Sequence, residues 1–192
     1  MGLSLQAQKA GLREEVRTRV AGISKEAREE ASAKARALLQ RQAGWQKAGF
    51  VLLYAPLAME LDIGPLLEDT LKAGKVVALP RFDRGTNRYE ACQVKDPLRE
   101  VELGRYGILE PVRSCDPVRL NRLDFTLVPG VAFDLHGRRL GRGRGYYDVL
   151  LAEVSGKTCG VAFDEQIVRE VPVDSHDSDV NCILTPTRWI EL

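Results

Sequence analysis

The stretch PGVAFDLHGRRLGRGRGYYDVLL, residues 129–151, joins a predicted strand to a predicted helix through a glycine-rich, basic loop. Its 23 residues include 5 glycines and 4 arginines. The preceding run FTLV, residues 125–128, has the composition of a strand buried on both faces, and residues 146–154 form an apolar helical pattern. Strand, glycine loop and helix in this order predict an α/β unit.

Three other short apolar runs extend this unit into a sheet. FVLLY at residues 50–54, VVAL at 76–79 and CGVAF at 159–163 all have the composition of buried strands, and residues 63–72 form a helical stretch between the first two. Parallel strands need long crossover connections, which such helices supply. We therefore predict an α/β sandwich with a mostly parallel sheet, formed by residues 1–192 as a single domain.

The N-terminal segment predicts two helices before the first strand. Apolar residues recur at helical spacing over residues 5–23, and Ser24 stands as an N-cap before an alanine-rich stretch that we expect to end near Gly44. The polar segment 83–111 is less regular and predicts a hairpin with a loop over the sheet.

Charge and cysteine usage exclude several classes of protein. The chain has 28 basic and 27 acidic residues, so it lacks the broad positive field that binding to nucleic acid or a membrane surface requires. Its 4 cysteines form no CxxC pair, no secretory leader precedes them, and no apolar run could cross a bilayer. We expect a soluble cytoplasmic monomer that binds small molecules, without a nucleic-acid or membrane partner.

Prolines follow three of the predicted strands, in LLYAP, VALPR and TLVPG. Proline cannot donate to a strand ladder, so each proline is expected to mark the point where the chain leaves the sheet. Ligand crevices border the carboxyl ends of parallel strands, which makes Glu60, Arg81 and Phe82 candidate site residues. Ordinary strand-end turns are the alternative.

The glycine loop itself favours a phosphate site. Glycines let backbone N–H groups converge at a helix start, and Arg142 and Arg144 add cations suited to phosphate oxygens. The spacing is GxGxG rather than the dinucleotide GxGxxG, and the Gly-Lys-Thr at 156–158 lacks the upstream glycine of a P-loop. A structural Gly-Arg turn, an RNA-binding Arg-Gly segment and another phosphoryl or sugar-phosphate enzyme remain alternatives.

Taken together with KAGLR (9–13), YGILEP (106–111) and GVAFDEQIVREVPVDSHDSDVNCILTP (160–186), the stretch closely resembles the 5-formyltetrahydrofolate cyclo-ligase family, also called methenyltetrahydrofolate synthetases. The blocks occur in the family's order over nearly the whole chain. The resemblance implies a three-layer, Rossmann-like fold. It also implies an enzyme that uses ATP and Mg²⁺ to convert 5-formyltetrahydrofolate into 5,10-methenyltetrahydrofolate, with release of ADP and phosphate.

The resemblance also assigns site residues by position. Those expected to bind ATP are Lys9, Ala10, Gly11, Leu12, Arg13, Arg139, Leu140, Gly141, Arg142, Gly143, Arg144, Gly145, Tyr146 and Tyr147. Those expected to bind the folate are Arg13, Ala55, Glu60, Arg142, Gly143, Arg144, Gly145 and Tyr146. The expected catalytic residues are Arg142, Arg144 and Tyr146, and the expected Mg²⁺-associated residues are Asp148 and Asp177.

Two positions depart from the family pattern. Arg144 stands where lysine is frequent, which keeps the charge, and Asn181 stands where aspartate is frequent, which leaves Asn181 outside the predicted metal site. Simpler interpretations also exist. A carboxylate such as Asp148 is favoured in a first helical turn without any metal, and Lys9 with Arg13 could be a solvated helical stripe.

Overall fold

An eight-stranded sheet crosses the computed structural model, which describes residues 3–104 and 107–192. In spatial order the strands are β12 (Trp189–Glu191), β11 (Cys182–Leu184), β10 (Lys157–Val161), β7 (Phe125–Pro129), β1 (Phe50–Leu52), β2 (Val76–Asp83), β3 (Arg88–Val94) and β6 (Pro117–Val118). The five strands from β11 to β2 are parallel, while β12, β3 and β6 pair antiparallel with their neighbours. The predicted α/β fold with a mostly parallel sheet is confirmed.

Two short antiparallel pairs lie outside this sheet. β4 (Val101–Leu103) pairs with β5 (Leu109–Pro111), and β8 (Ala132–Phe133) pairs with β9 (Arg139–Leu140). Within the polar segment, β3 forms a hairpin with β2, of which only Asp83 belongs to the segment, and β4 pairs with β5. The glycine loop begins directly after β9, so a short hairpin separates it from β7.

In the described residues, six α-helices surround the strands: α1 (Leu5–Ala21), α2 (Lys25–Gln40), α3 (Ala43–Lys47), α4 (Pro65–Lys72), α5 (Pro97–Glu100) and α6 (Tyr146–Leu151). Ser24 caps α2 as predicted. That helix ends at Gln40, before Gly44, because the chain turns into α3 and thereby buries Trp45 edge-on against Phe125, with ring centroids 5.6 Å apart. Among the described residues, no helix combines the length and apolarity needed to cross a membrane.

The core has two parts, one on each face of the sheet. Alternate residues of β1 point to opposite faces, so Val51 joins the cluster that includes Val16 of α1, whereas Leu52 joins the cluster that includes Leu150 of α6. Helices therefore cover both faces, and the predicted three-layer, Rossmann-like arrangement is confirmed.

Pro80 corrects one detail of the prediction. It lies inside β2, opposite Ala91 of β3, and the strand continues to Asp83. The backbone groups of Val76 and Ala78 bond toward β1, and by the two-residue period of a strand Pro80 faces the same side. β1 pairs with β2 only as far as Ala78, so the N–H that proline lacks has no ladder partner there.

Candidate active site

The loop at residues 141–145 leads from β9 into the first turn of α6. Gly143 and Gly145 have φ angles of 95° and 68°, in the left-handed region that glycine adopts at little cost. A side-chain carbon added at Gly143 would lie 3.5 Å from Arg13 Nη2, so the loop runs close beneath the first helix. The backbone thus has the open, turning path that was predicted between strand and helix.

A cavity of about 380 Å³ lies beside this loop at the carboxyl ends of β1, β2 and β7. It is lined by ten of the predicted site residues: Ala55, Glu60, Arg139, Gly141, Arg142, Arg144, Gly145, Tyr146, Tyr147 and Asp148. The glycine loop, which is expected to bind ATP, and Glu60, which is expected to bind the folate, therefore line the same cavity.

Glu60 connects the two regions directly. Its Oε1 accepts hydrogen bonds from Arg142 Nη2 at 2.7 Å and Nε at 3.3 Å, and its Oε2 accepts from the backbone N–H of Leu57 at 2.9 Å. The Glu60 side chain is 8% exposed, whereas that of Arg142 is 48% exposed. The carboxylate is thus fixed in the wall, while the arginine can swing toward a ligand.

The first helix brings two cations to the edge of the loop. Lys9 is buried and its Nζ lies 2.5 Å from Asp177 Oδ2, and Arg13 Nε donates to the Gly141 carbonyl at 2.8 Å. Burial alone would raise the pKa of Asp177, but the hydrogen bond from Lys9 and another from the Asp174 N–H outweigh it and hold that pKa below its ordinary value. Lys9 and Arg13 are therefore part of the site's framework and not a solvated stripe.

Asp148 and Asp177 are brought to neighbouring positions. Asp148 Oδ1 lies 2.5 Å from Nη2 of the buried Arg139, whose guanidinium stands 5.8 Å from the Tyr147 ring centroid. The adjacent residue of the Asp177 loop, Ser178, donates from its hydroxyl to the Asp148 carbonyl at 3.2 Å. Asp148 lines the cavity, and Asp177, 29 positions later in the sequence, lies in the loop that contacts it.

These two aspartates are better suited to a metal ion that is bound together with a phosphate ligand than to an ion held by protein side chains alone. The described residues contain no group of three or more His, Cys, Asp or Glu side chains that could hold a metal. Magnesium, however, is commonly bound through one or two carboxylates together with phosphate oxygens and water. Among the described residues, hydrogen bonds reach Oδ1 of Asp148 and Oδ2 of Asp177, which leaves the second oxygen of each carboxylate for such an ion.

Aromatic rings form the apolar side of the site. Phe82, Tyr89 and Tyr146 contact one another edge to face, each pair with ring centroids 5.4 Å apart. Tyr147 lies deeper, and burial raises the pKa of its phenol well above the ordinary range. Tyr89, Tyr146 and Tyr147 all line the cavity.

Some predicted residues lie elsewhere. Ala10 and Gly11 are exposed on α1, Leu12 packs against the core, and Leu140 is buried in it. Among the described residues, the cavity lining includes none of these four.

Arg81 and Asn181 also act elsewhere. Arg81 turns away from the cavity and holds Glu90 at 2.8 Å and the Val112 carbonyl at 2.6 Å. Asn181 accepts hydrogen bonds from Thr158 between β10 and β11. Tyr106, the first residue of YGILEP, lies outside the described residues.

The structure adds eight lining residues: Tyr54, Leu57, Pro80, Tyr89, Ile108, Leu109, Pro129 and Gly130. Several of these lining residues lie next to the three prolines, so the expectation that site residues lie near those prolines could have identified them. Tyr89, Ile108 and Leu109 come from the polar segment, where only a three-dimensional hairpin could show which side chains face the sheet edge.

A family model described as the 5-formyltetrahydrofolate cyclo-ligase family matches residues 5–186. The chain belongs to this cyclo-ligase family. Named cyclo-ligases include those of Mus musculus, 28% identical over 95% of both chains, and Escherichia coli K12, 33% identical over 78% of this chain and 91% of that one. The NMR structure of Aquifex aeolicus 5,10-methenyltetrahydrofolate synthetase is 36% identical, with a TM-score of 0.87 over 96% of this chain and 92% of that one.

Membership confirms two predictions made from the sequence. The resemblance of the glycine loop and its companion blocks was correct, and the chain is an enzyme of the cyclo-ligase class. The assignment of single residues to ATP, folate and metal stays a prediction, which the cavity's geometry makes specific enough to test.

Proposed function

We propose that this cyclo-ligase uses ATP and Mg²⁺ to convert 5-formyltetrahydrofolate into 5,10-methenyltetrahydrofolate, and that ADP and phosphate are released. The observation that carries this proposal is one cavity bordered by a glycine-arginine loop and by the buried carboxylate of Glu60. Membership of the family supports the same reaction.

The loop is suited to the ATP phosphates. Arg142 and Arg144 line the cavity, and Lys9 and Arg13 stand at the edge of the loop. Guanidinium and ammonium groups placed before the reaction neutralise charge on phosphoryl oxygens without reorganising when that charge moves. This part of the site therefore lowers the barrier by electrostatics and needs no protein nucleophile.

Glu60 is suited to the pterin part of the folate. A carboxylate accepts hydrogen bonds from an N–H edge, and this one is fixed by Leu57. Tyr146 and Tyr89 line the cavity with aromatic surface on which a flat heterocycle can pack. The proposal requires that the formyl group face the loop when the pterin is held at Glu60.

The proposed reaction then has three steps. The formyl oxygen attacks the γ-phosphorus, and the bond to the ADP oxygen breaks. N10 attacks the activated formyl carbon and loses its proton, which forms the five-membered ring. The C–O bond to phosphate then breaks and phosphate leaves. An amide oxygen is a weak nucleophile, so the enzyme contributes mainly by placing it in line.

Asp148 and Asp177 would hold the magnesium ion that comes with ATP, because the hydrogen bonds from Arg139 and Lys9 use one carboxylate oxygen of each aspartate. Such an ion would supply positive charge that neutralises the phosphate groups. We further propose that the enzyme acts as a cytoplasmic monomer on these two small substrates; its four buried cysteines are free thiols, as is usual in a reducing compartment.

The decisive experiment supplies purified protein with 5-formyltetrahydrofolate, ATP and magnesium, and follows the absorbance of the methenyl product together with ADP. We expect one ADP per product, because a single formyl oxygen is phosphorylated. Omission of ATP or chelation of the metal should stop both signals. Product without ATP consumption, or ATP hydrolysis indifferent to the folate, would overturn the proposal.

A further inference from the structure

We propose that Tyr54 and Ser32 are positioning residues for the folate, which act by fixing the segment that carries Glu60. The inference rests on the proposed role of Glu60 toward the pterin. Ser32 was not singled out by the sequence and lies on α2, whose residues do not line the cavity within the described chain.

The segment at residues 57–62 needs outside support to hold its shape. It follows β1 without forming a helix or strand, and Ala58 and Met59 are exposed. A turn closes it internally, since the Glu60 N–H donates to the Leu57 carbonyl at 2.9 Å and the Glu60 side chain accepts from the Leu57 N–H. That turn fixes Glu60 relative to Leu57, but not relative to the rest of the cavity.

Tyr54 supplies one attachment. Its hydroxyl donates to the carbonyl of Leu61, the residue after Glu60, at 3.0 Å, and its side chain is buried in the cavity wall. Burial, and to a lesser degree the charge of Glu60, raises the pKa of this phenol, so the hydroxyl stays protonated as a donor. Without it, a buried carbonyl beside Glu60 would lose its hydrogen bond.

Ser32 supplies the second attachment, from the opposite side. It is buried on α2, and its Oγ accepts from the Asp62 N–H at 3.0 Å while donating to the Arg28 carbonyl at 2.7 Å. Arg36 Nη1 adds a hydrogen bond of 2.5 Å to the Asp62 carbonyl. Residues 61 and 62 are thus tied both to the strand end and to a rigid helix, which aims Glu60 into the cavity.

The test compares Tyr54→Phe and Ser32→Ala with a matched control, Thr158→Val. Thr158 is also buried, and its hydroxyl also makes two hydrogen bonds, to Asn181 at 2.9 and 3.1 Å, but between β10 and β11 and not in the cavity lining. All three variants should lower the thermal midpoint. Only the first two should raise KM for 5-formyltetrahydrofolate, by about three- to tenfold, with KM for ATP changed less than about twofold.

The background Glu60→Gln provides a second readout. If Tyr54 acts through the carboxylate, Tyr54→Phe should raise the folate KM less in that background than in the parent, because coupled residues are not additive. A folate KM unchanged by both variants, or folate and ATP constants that rise together, would overturn the inference and leave Tyr54 and Ser32 with a structural role.

Failure of the proposed function would be recognised separately. A parent protein that forms no methenyl product refutes the proposed reaction itself, whatever the variants do. A parent that forms product while Tyr54→Phe and Ser32→Ala behave like Thr158→Val refutes only the positioning role.

Discussion

Replacement of Glu60 by glutamine tests the placement of the two substrates most directly. Glutamine keeps the shape and the acceptor oxygen but removes the charge. In the free protein it also weakens the 2.7 Å contact with Arg142, and it leaves the bond from the Leu57 N–H possible. We expect the KM for 5-formyltetrahydrofolate to rise while the KM for ATP changes little.

The expected rise in the KM for 5-formyltetrahydrofolate follows from two opposing effects. A hydrogen bond to a charged group contributes about 1.5–3 kcal/mol and a neutral one about 0.5–1.5 kcal/mol, so the folate loses about 1–1.5 kcal/mol. Arg142 must leave Glu60 before the pterin binds, and this pair, with its half-exposed arginine, stabilises the free form by less than about 1 kcal/mol. Weakening the pair offsets part of the loss, which leaves a rise of about three- to tenfold.

The assay measures initial rates of methenyl product formation, with one substrate varied while the other is saturating. Glu191→Gln is the matched control, because Glu191 forms a 2.6 Å ion pair with Lys157 at the far edge of the sheet. That variant should leave both constants unchanged. If Glu60→Gln shifts the ATP constant most, the placement of folate and nucleotide is reversed and the reasoning fails.

Two further predictions concern the loop and its support. Gly145→Ala and Gly74→Ala each place a side chain in open space at a positive φ angle, 68° and 77° respectively, so both should destabilise the fold by a similar amount, about 1–2 kcal/mol. Only Gly145→Ala should also raise the KM for ATP. Equal kinetic constants in the two variants would argue against a phosphate-binding role of the loop. Because its folded pKa is lowered, Asp177 stabilises the fold above its ordinary pKa of 3.8, and this contribution disappears as the pH falls below 3.8 through the folded value. Urea unfolding should therefore show Asp177→Asn less stable than the parent at pH 7, with the difference shrinking below pH 3.8, and a difference independent of pH would contradict this account of the pair with Lys9.

The sequence by itself determined the features that depend on neighbouring residues. Strand composition identified β1, β2, β7 and β10, Ser24 marked the start of α2, and the glycines at 143 and 145 indicated a turning loop before α6. These are local choices of backbone conformation, which a few adjacent residues decide. The same local pattern, with its companion blocks, was specific enough to indicate the family.

Tertiary structure decided everything that depends on contacts between distant segments. Only the folded chain shows that Glu60 contacts Arg142, 82 positions away, and that Lys9 contacts Asp177, 168 positions away. It also shows that Arg81, which follows Pro80 inside β2, turns to Glu90 in the adjacent strand. Sequence spacing carries no information on such partners, because they are set by sheet order and by how helices pack on the sheet, and these arrangements emerge only when the whole core is buried together.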